Sequence, residues 1–105
     1  MTARLLRAGL AYTIRFHHWL PKVLGADATT VGATICVKDG TCPPDLHAHE
    51  FTHVQQYARD GVLWFLCRYL WQRCLVGYRR IDYEVEAYRA GSDPAYVATF
   101  PAVTP

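Results

Sequence analysis

The run His49-Glu50-Phe51-Thr52-His53 brings two imidazoles and a carboxylate into one short stretch of chain. On an α-helix four residues turn through about 400°, so the two rings lie about 40° apart around the axis and one turn apart along it. Both ring nitrogens can then reach a single Zn²⁺. Glu50 lies about 100° round from His49, beside the position the histidines leave open, where a carboxylate can take a proton from water. The chemistry expected is zinc-dependent hydrolysis, with metal-bound water as nucleophile and Glu50 as general base. Two plainer readings compete: a solvated helix face, or a pair of core histidines satisfied by hydrogen bonds. His47 falls about 200° from His49, on the far face, and reads as a polar residue of the helix's first turn rather than a ligand. His17 and His18 have no partner at ligand spacing.

A catalytic zinc takes three protein ligands and keeps one position open. All 5 histidines lie at or before His53, so the third ligand is sought among the downstream acids. Asp60 is two turns along the same helix, roughly 10 Å away and too far for its short side chain. Asp82 reads as a cap. Glu84 and Glu86 lie on a later helix, after a long one that lets the chain cross the core and return, and spacing leaves both open. Glu86 also reads as a solvated first-turn acid favoured by the helix dipole. Gln56 shares the face of His49 and His53, where it either hydrogen-bonds a ligand or substrate backbone or packs as a partly buried amide against the next helix.

With HEFTHVQQY and YEVEAYR as its marks, the stretch from about 33 to 90 resembles the gluzincin-type zinc metallopeptidases. It is also similar to compact, single-domain bacterial proteins with one H-E-x-x-H, a following Gln and a distal E-x-E-A-Y. In the gluzincin pattern E-x-x-A-D the first Glu binds zinc, and Glu84-Val85-Glu86-Ala87-Tyr88 matches it at Glu84 and Ala87. The resemblance implies Glu84 as third ligand, with Glu86 as the fallback, Zn²⁺ as cofactor and a peptide or protein as substrate. Tyr88 stands where the pattern has an Asp that orients a metal ligand, so Tyr88 and Gln56 are the candidate residues behind the ligands. The resemblance further implies that the strand ahead of the motif helix pairs with an extended peptide by β-augmentation; an ordinary core strand is the alternative. The oxyanion donor stays open among Tyr57, Tyr69, Tyr78, Tyr83, Tyr88 and the arginines.

The elements that must position these residues follow from periodicity. Thr2 is expected to cap a first helix in which Leu6, Leu10, Ile14 and His18 recur every four residues, with Pro21 ending it. Residues 22–30 read as loop. Thr30–Val37 alternates apolar and small residues as one strand, with Gly32 its weak point. Asp39-Gly40 turns the chain into a helix over Pro43–Arg59, which Asp60-Gly61 breaks. A third helix, Val62–Arg80, is apolar over most of its circumference and needs burial on at least one broad side. A short helix, Asp82–Ala90, is stopped by Gly91, and residues 91–105 form a strap or a loose tail. The expectation is an α+β, mostly helical fold, with a small sheet or hairpin on three to four helices. It forms a single zincin-like domain over 1–105 with its core at about 30–90.

Composition sets the frame. At 105 residues, 51% hydrophobic and 19% charged, the chain suits one small core with some exposed apolar surface, and disorder is excluded. A net charge of +2 argues against a nucleic-acid partner. The charges are segregated: residues 1–26 carry Arg4, Arg7, Arg15 and Lys22 with no acid, and residues 61–81 carry Arg68, Arg73, Arg79 and Arg80 with no acid. Basic, aromatic-rich helices suit anionic lipid. Peripheral membrane contact is therefore one alternative. A non-catalytic, zinc-stabilised interaction domain that forms a homodimer through the Trp64–Tyr78 stretch is another. Cys36, Cys42, Cys67 and Cys74 form no CxxC pair, and no signal-peptide or membrane-spanning pattern is read. The expected location is cytoplasmic, free or membrane-associated.

Overall fold

The computed structural model describes residues 2–76 and 82–104, apart from the side chains of Arg73, Leu75 and Val76. In chain order the elements are β1 (Thr2–Arg7), β2 (Leu10–Arg15), α1 (Trp19–Leu24), β3 (Ala28–Val31), β4 (Thr34–Val37), α2 (Pro44–Asp60), α3 (Val62–Val76), α4 (Asp82–Ser92) and α5 (Pro94–Val97). This is the expected α+β class, but its N-terminal part differs from the expectation.

The segment expected as a first helix is an antiparallel hairpin, paired from Thr2↔Arg15 to Arg7↔Leu10. Ala8 and Gly9 turn it with φ of 51° and 77°, and a two-residue turn with both φ positive has the twist that joins antiparallel strands. The four-residue spacing of Leu6, Leu10 and Ile14 is also a multiple of two. Period two wins because Tyr12, Ile14 and Phe16 alternate into the core, while Leu6 is 75% exposed. His18 is not the last turn of a helix but the cap of the next one: its Nδ1 accepts from the Leu20 amide at 3.1 Å, and Pro21 lies in the first turn of α1 rather than ending a helix.

The single strand expected over Thr30–Val37 is two. β3 and β4 pair antiparallel from Ala28↔Val37 to Val31↔Thr34 around Gly32, whose φ of 62° makes the tight reversal cheap. β4 pairs parallel with β2, which gives a mixed sheet of order β1-β2-β4-β3 with β3 at its edge. Residues 22–30, expected as loop, therefore include the end of α1 and the start of β3.

α2 lies across the sheet and buries Ala48, Phe51 and Val54 against Tyr12, Ile14, Ile35 and Val37. Phe100 and Val103 complete this core, which is thus wider than residues 30–90. The C-terminal segment is a strap: Cys42 and Val103 exchange backbone hydrogen bonds of 2.8 and 3.0 Å, and the Arg7 guanidinium sits 3.6 Å from the Phe100 ring centroid while donating to Thr99. His47 does occupy the far face of α2, but that face meets the sheet. It is fully buried: its Nδ1–H donates to the Pro101 carbonyl at 3.0 Å, and its Nε2 accepts from the Tyr12 hydroxyl at 2.6 Å.

α4 packs on α2 through Ala87 and Gly91. A Cβ at Gly91 would lie 3.1 Å from the Asp45 carbonyl oxygen and 3.2 Å from His49 Cβ, so the approach requires glycine. Gly91 is inside α4 and serves packing; it does not stop the helix. α3 buries only a narrow side, with Phe65 stacked between Tyr57 and Tyr83 at centroid distances of 3.9 and 4.3 Å. Among its described side chains only Phe65 is fully buried, short of the broad burial expected, and the expected last turns through Tyr78, Arg79 and Arg80 lie outside the described residues. Among the described residues no helix is long and apolar enough to cross a membrane.

Candidate metal centre

α2 forms where expected because its apolar residues hold the helical period on the sheet side and Gly61 closes its end, accepting the chain reversal at φ 83°. The same helix turns His49, Glu50 and His53 towards α4 and β3, and one ligand atom from each lies within 4.8 Å of the other two. Glu84, from the first turn of α4, completes the cluster. Its Oε1 is 2.7 Å from His53 Nε2 and 3.5 Å from His49 Nε2, and Glu50 Oε2 is 3.8 Å from His49 Nε2. Glu50, His53 and Glu84 are buried, and His49 is nearly so.

Two nitrogens and a carboxylate oxygen, each about 2.0–2.1 Å from a tetrahedral ion, stand roughly 3.3 Å apart. The 3.5 Å separation already has that value. The 2.7 Å contact is a hydrogen bond. Burial opposes protonation of His53, but the hydrogen bond to Glu84 and the charges of Glu50 and Glu84 outweigh it and raise the imidazole's pKa above the ordinary value. The His53–Glu84 contact thus lies in the place that suits a cation. The donor set, two histidines and a glutamate, is one that catalytic zinc uses, so the residues present fit that ion.

Gln56 fixes which His53 nitrogen faces the centre. Its Nε2 donates to the Tyr83 carbonyl at 2.9 Å and to Glu86 Oε1 at 2.6 Å, so its Oε1 is the atom turned to His53 Nδ1, at 2.8 Å. Nδ1 must then carry hydrogen, and Nε2 is left to bind a proton or a metal. The two uses weighed for Gln56 meet in one residue: its oxygen holds His53, and the buried amide nitrogen is bonded into α4. Tyr88 sits edge-on against the His49 ring, with centroids 4.7 Å apart, and so holds it by packing rather than as an Asp would. The fallback Glu86 is half exposed; its carboxylate meets Gln56 and, at 3.8 Å, Arg59, while Glu84 takes the place in the centre. Asp60 accepts from Tyr83 and Arg59, Asp82 from Arg68 and Gln72, and Asp93 caps α5.

Two residues of the centre had not been singled out from sequence. Thr30 donates its hydroxyl to Glu50 Oε1 at 3.0 Å and fixes that carboxylate from β3. No local pattern foretells this contact between residues 20 apart. Gly91, which lets α4 close on His49, did leave a sign: Ala87 and Gly91 are small residues one turn apart.

The centre opens into a groove of about 1260 Å³. β3 forms one wall, Leu20 and Leu24 of α1 and Leu66 and Leu70 of α3 border it, and Tyr57, Tyr69 and Tyr88 reach it. Tyr69 donates to Glu84 Oε2 at 3.3 Å. Of the other oxyanion candidates, the Tyr83 hydroxyl is committed to Asp60 at 2.7 Å, no arginine among the described residues lines the groove, and Tyr78 lies outside them. No family model, curated protein or solved structure matches the chain, so its functional reading rests on the geometry of this centre.

Proposed function

We propose that the chain is a zinc-dependent peptidase in which His49, His53 and Glu84 hold the ion and Glu50 is the general base. One observation carries the reading: both histidines converge on one Glu84 oxygen, next to a second buried carboxylate on which the chain has spent a dedicated hydrogen bond. A purely structural zinc site closes its fourth position with another ligand and needs no base beside it. When bound, a divalent cation supplies a Lewis acid that polarises a carbonyl and acidifies water.

The remaining work falls to the chain. Thr30 holds Glu50 Oε1, which sets the carboxylate to take a proton from the attacking water as the water oxygen bonds to the amide carbon. The same carboxyl returns that proton to the departing nitrogen as the C–N bond breaks. Gln56 and Tyr88 keep the two rings in place. The edge strand β3 offers its backbone along the groove, which suits an extended peptide added by β-augmentation. Tyr69, whose hydroxyl donates to Glu84 Oε2, is the candidate donor to a developing oxyanion.

The test is Glu50→Gln, assayed on a library of fluorogenic extended peptides with metal content measured on the same sample. The expected variant keeps one zinc per chain and loses about 10²-fold or more in kcat/KM. Hydrolysis at the rate of the parent chain would overturn the proposal.

A further inference from the structure

α3 turns Phe65 and Tyr69 to the protein and leaves Leu63, Trp64, Leu66, Leu70 and Trp71 exposed, with Leu63 at 78% and Trp71 at 69%. At 100° per residue these five, with the exposed Cys67 and Cys74, fill one unbroken arc of about 160° opposite Phe65. Arg68, half-exposed and paired at 3.1 Å with Asp82, lies at one margin of the arc, beyond Trp64, and the helical register puts position 73, an arginine, at the other, beyond Leu66. α1 adds Trp19, Val23 and Leu24, all at least 60% exposed. Leu24 of α1 and Leu66 and Leu70 of α3 line the same groove, so the two apolar surfaces border its mouth. Neither helix contains an acid: α1 has Lys22, and α3 has Arg68 and Arg73.

We propose that α1 and α3 together seat the protein on an anionic lipid surface, with the mouth of the groove at the level of the headgroups. The chemistry matches at both depths. Leucines and tryptophans suit the boundary between headgroup and acyl chain, and cations along the margins of the apolar arc suit phosphate and carboxylate headgroups. Over its described residues α3 runs for 15 residues, less than a hydrocarbon core of about 30 Å needs, and Arg68 and Gln72 stand within it, which suits a helix lying in the surface. A second copy of the chain fits less well. A two-fold contact would set the same acid-free helix against its twin, and Asp82, the nearest carboxylate, already meets Arg68 of its own chain at 3.1 Å, so neither copy brings a free acid to the other's cations. The proposal stands independently of peptide hydrolysis and holds for the metal-free chain as well.

The experiment is flotation of the full chain with vesicles of phosphatidylcholine containing about 30 mol% phosphatidylserine, against phosphatidylcholine alone, at low and high salt, with tryptophan emission recorded in parallel. The expected result is flotation and a blue shift with the anionic vesicles, weakened about tenfold or more when phosphatidylserine is omitted or salt is raised. Trp64→Ser with Trp71→Ser should weaken binding by about tenfold with the far-ultraviolet dichroism unchanged. Should that pair fail to fold, Leu63→Ser on the most exposed position serves in its place. No flotation at low salt would overturn the proposal, as would equal flotation of the variants. A salt-insensitive dimer that these substitutions dissolve, in a chain that ignores vesicles, would assign the face to a second copy instead.

Discussion

Replacing Gln56 by Leu removes the contact that orients His53 while nearly conserving volume. The amide is 1% exposed and makes three hydrogen bonds: 2.8 Å to His53 Nδ1, 2.9 Å to the Tyr83 carbonyl and 2.6 Å to Glu86. Their losses differ. Tyr83 lies within α4 and keeps the intrahelical partner of its carbonyl, and the half-exposed Glu86 can turn to water. His53 Nδ1–H is buried and keeps nothing, so the cost is that of one orphaned donor, about 1–3 kcal/mol. In a domain of this size that lowers Tm by about 5–15 °C in the metal-free protein. Loss of a group that holds a ligating histidine also weakens metal affinity about 10–100-fold, which competition against a chromophoric chelator measures directly. Gln56→Glu separates orientation from stability: it keeps an acceptor for His53 Nδ1–H but sets a carboxylate against Glu86, so it should bind zinc more tightly than Gln56→Leu while melting early. Zinc affinity of Gln56→Leu within threefold of the parent chain would refute the orienting role.

Gly91→Ala should lower both Tm and zinc affinity, because its Cβ meets the Asp45 carbonyl oxygen at 3.1 Å and His49 Cβ at 3.2 Å, neither of which can swing aside. Overpacking of about 1–3 kcal/mol outweighs the gain of up to ~1 kcal/mol from replacing a helical glycine, and an unchanged melt would contradict the close approach. His47 is held neutral, its pKa lowered first by burial and further by Arg7, against the raising effect of the Pro101 hydrogen bond. Its folded pKa is below the unfolded 6.5, so the stability it contributes is present above that pH and is lost as pH falls through the folded value. His53 in the metal-free chain has the opposite sign: its raised pKa contributes below 6.5 and is lost as pH rises through the folded value. Melting of the metal-free protein against pH should therefore fall off on both sides, and His47→Asn should flatten the acid side alone.

The centre was readable from sequence where spacing alone decides geometry. His49, Glu50 and His53 sit on one helix, and a helix fixes their angles wherever it is placed in the fold. Glu84 needs more than spacing, since Glu86 is equally near in the chain; the resemblance to the gluzincin pattern favours Glu84, and in the structure it is Glu84 that lies 2.7 Å from His53. Contacts that join distant segments left no local mark: Thr30 to Glu50, and His47 to Tyr12 and Pro101. The N-terminal hairpin was hidden because apolar residues four apart satisfy two periods at once, and Ala8-Gly9 is a weaker turn signal than Asn-Gly. The apolarity of α3 was plain, yet a helical wheel names no partner, and among its described side chains the expected broad burial did not follow.

The central claim is that His49, His53 and Glu84 hold one zinc. X-ray absorption at the zinc edge, on protein loaded to a stoichiometry fixed by elemental analysis, tests it most directly. The expected spectrum shows one ion per chain with two imidazole nitrogens and carboxylate oxygen at about 2.0–2.1 Å, and His53→Ala or Glu84→Ala should abolish stoichiometric uptake. A chain that takes up no stoichiometric zinc, or a ligand shell that is the same in both variants, would contradict it.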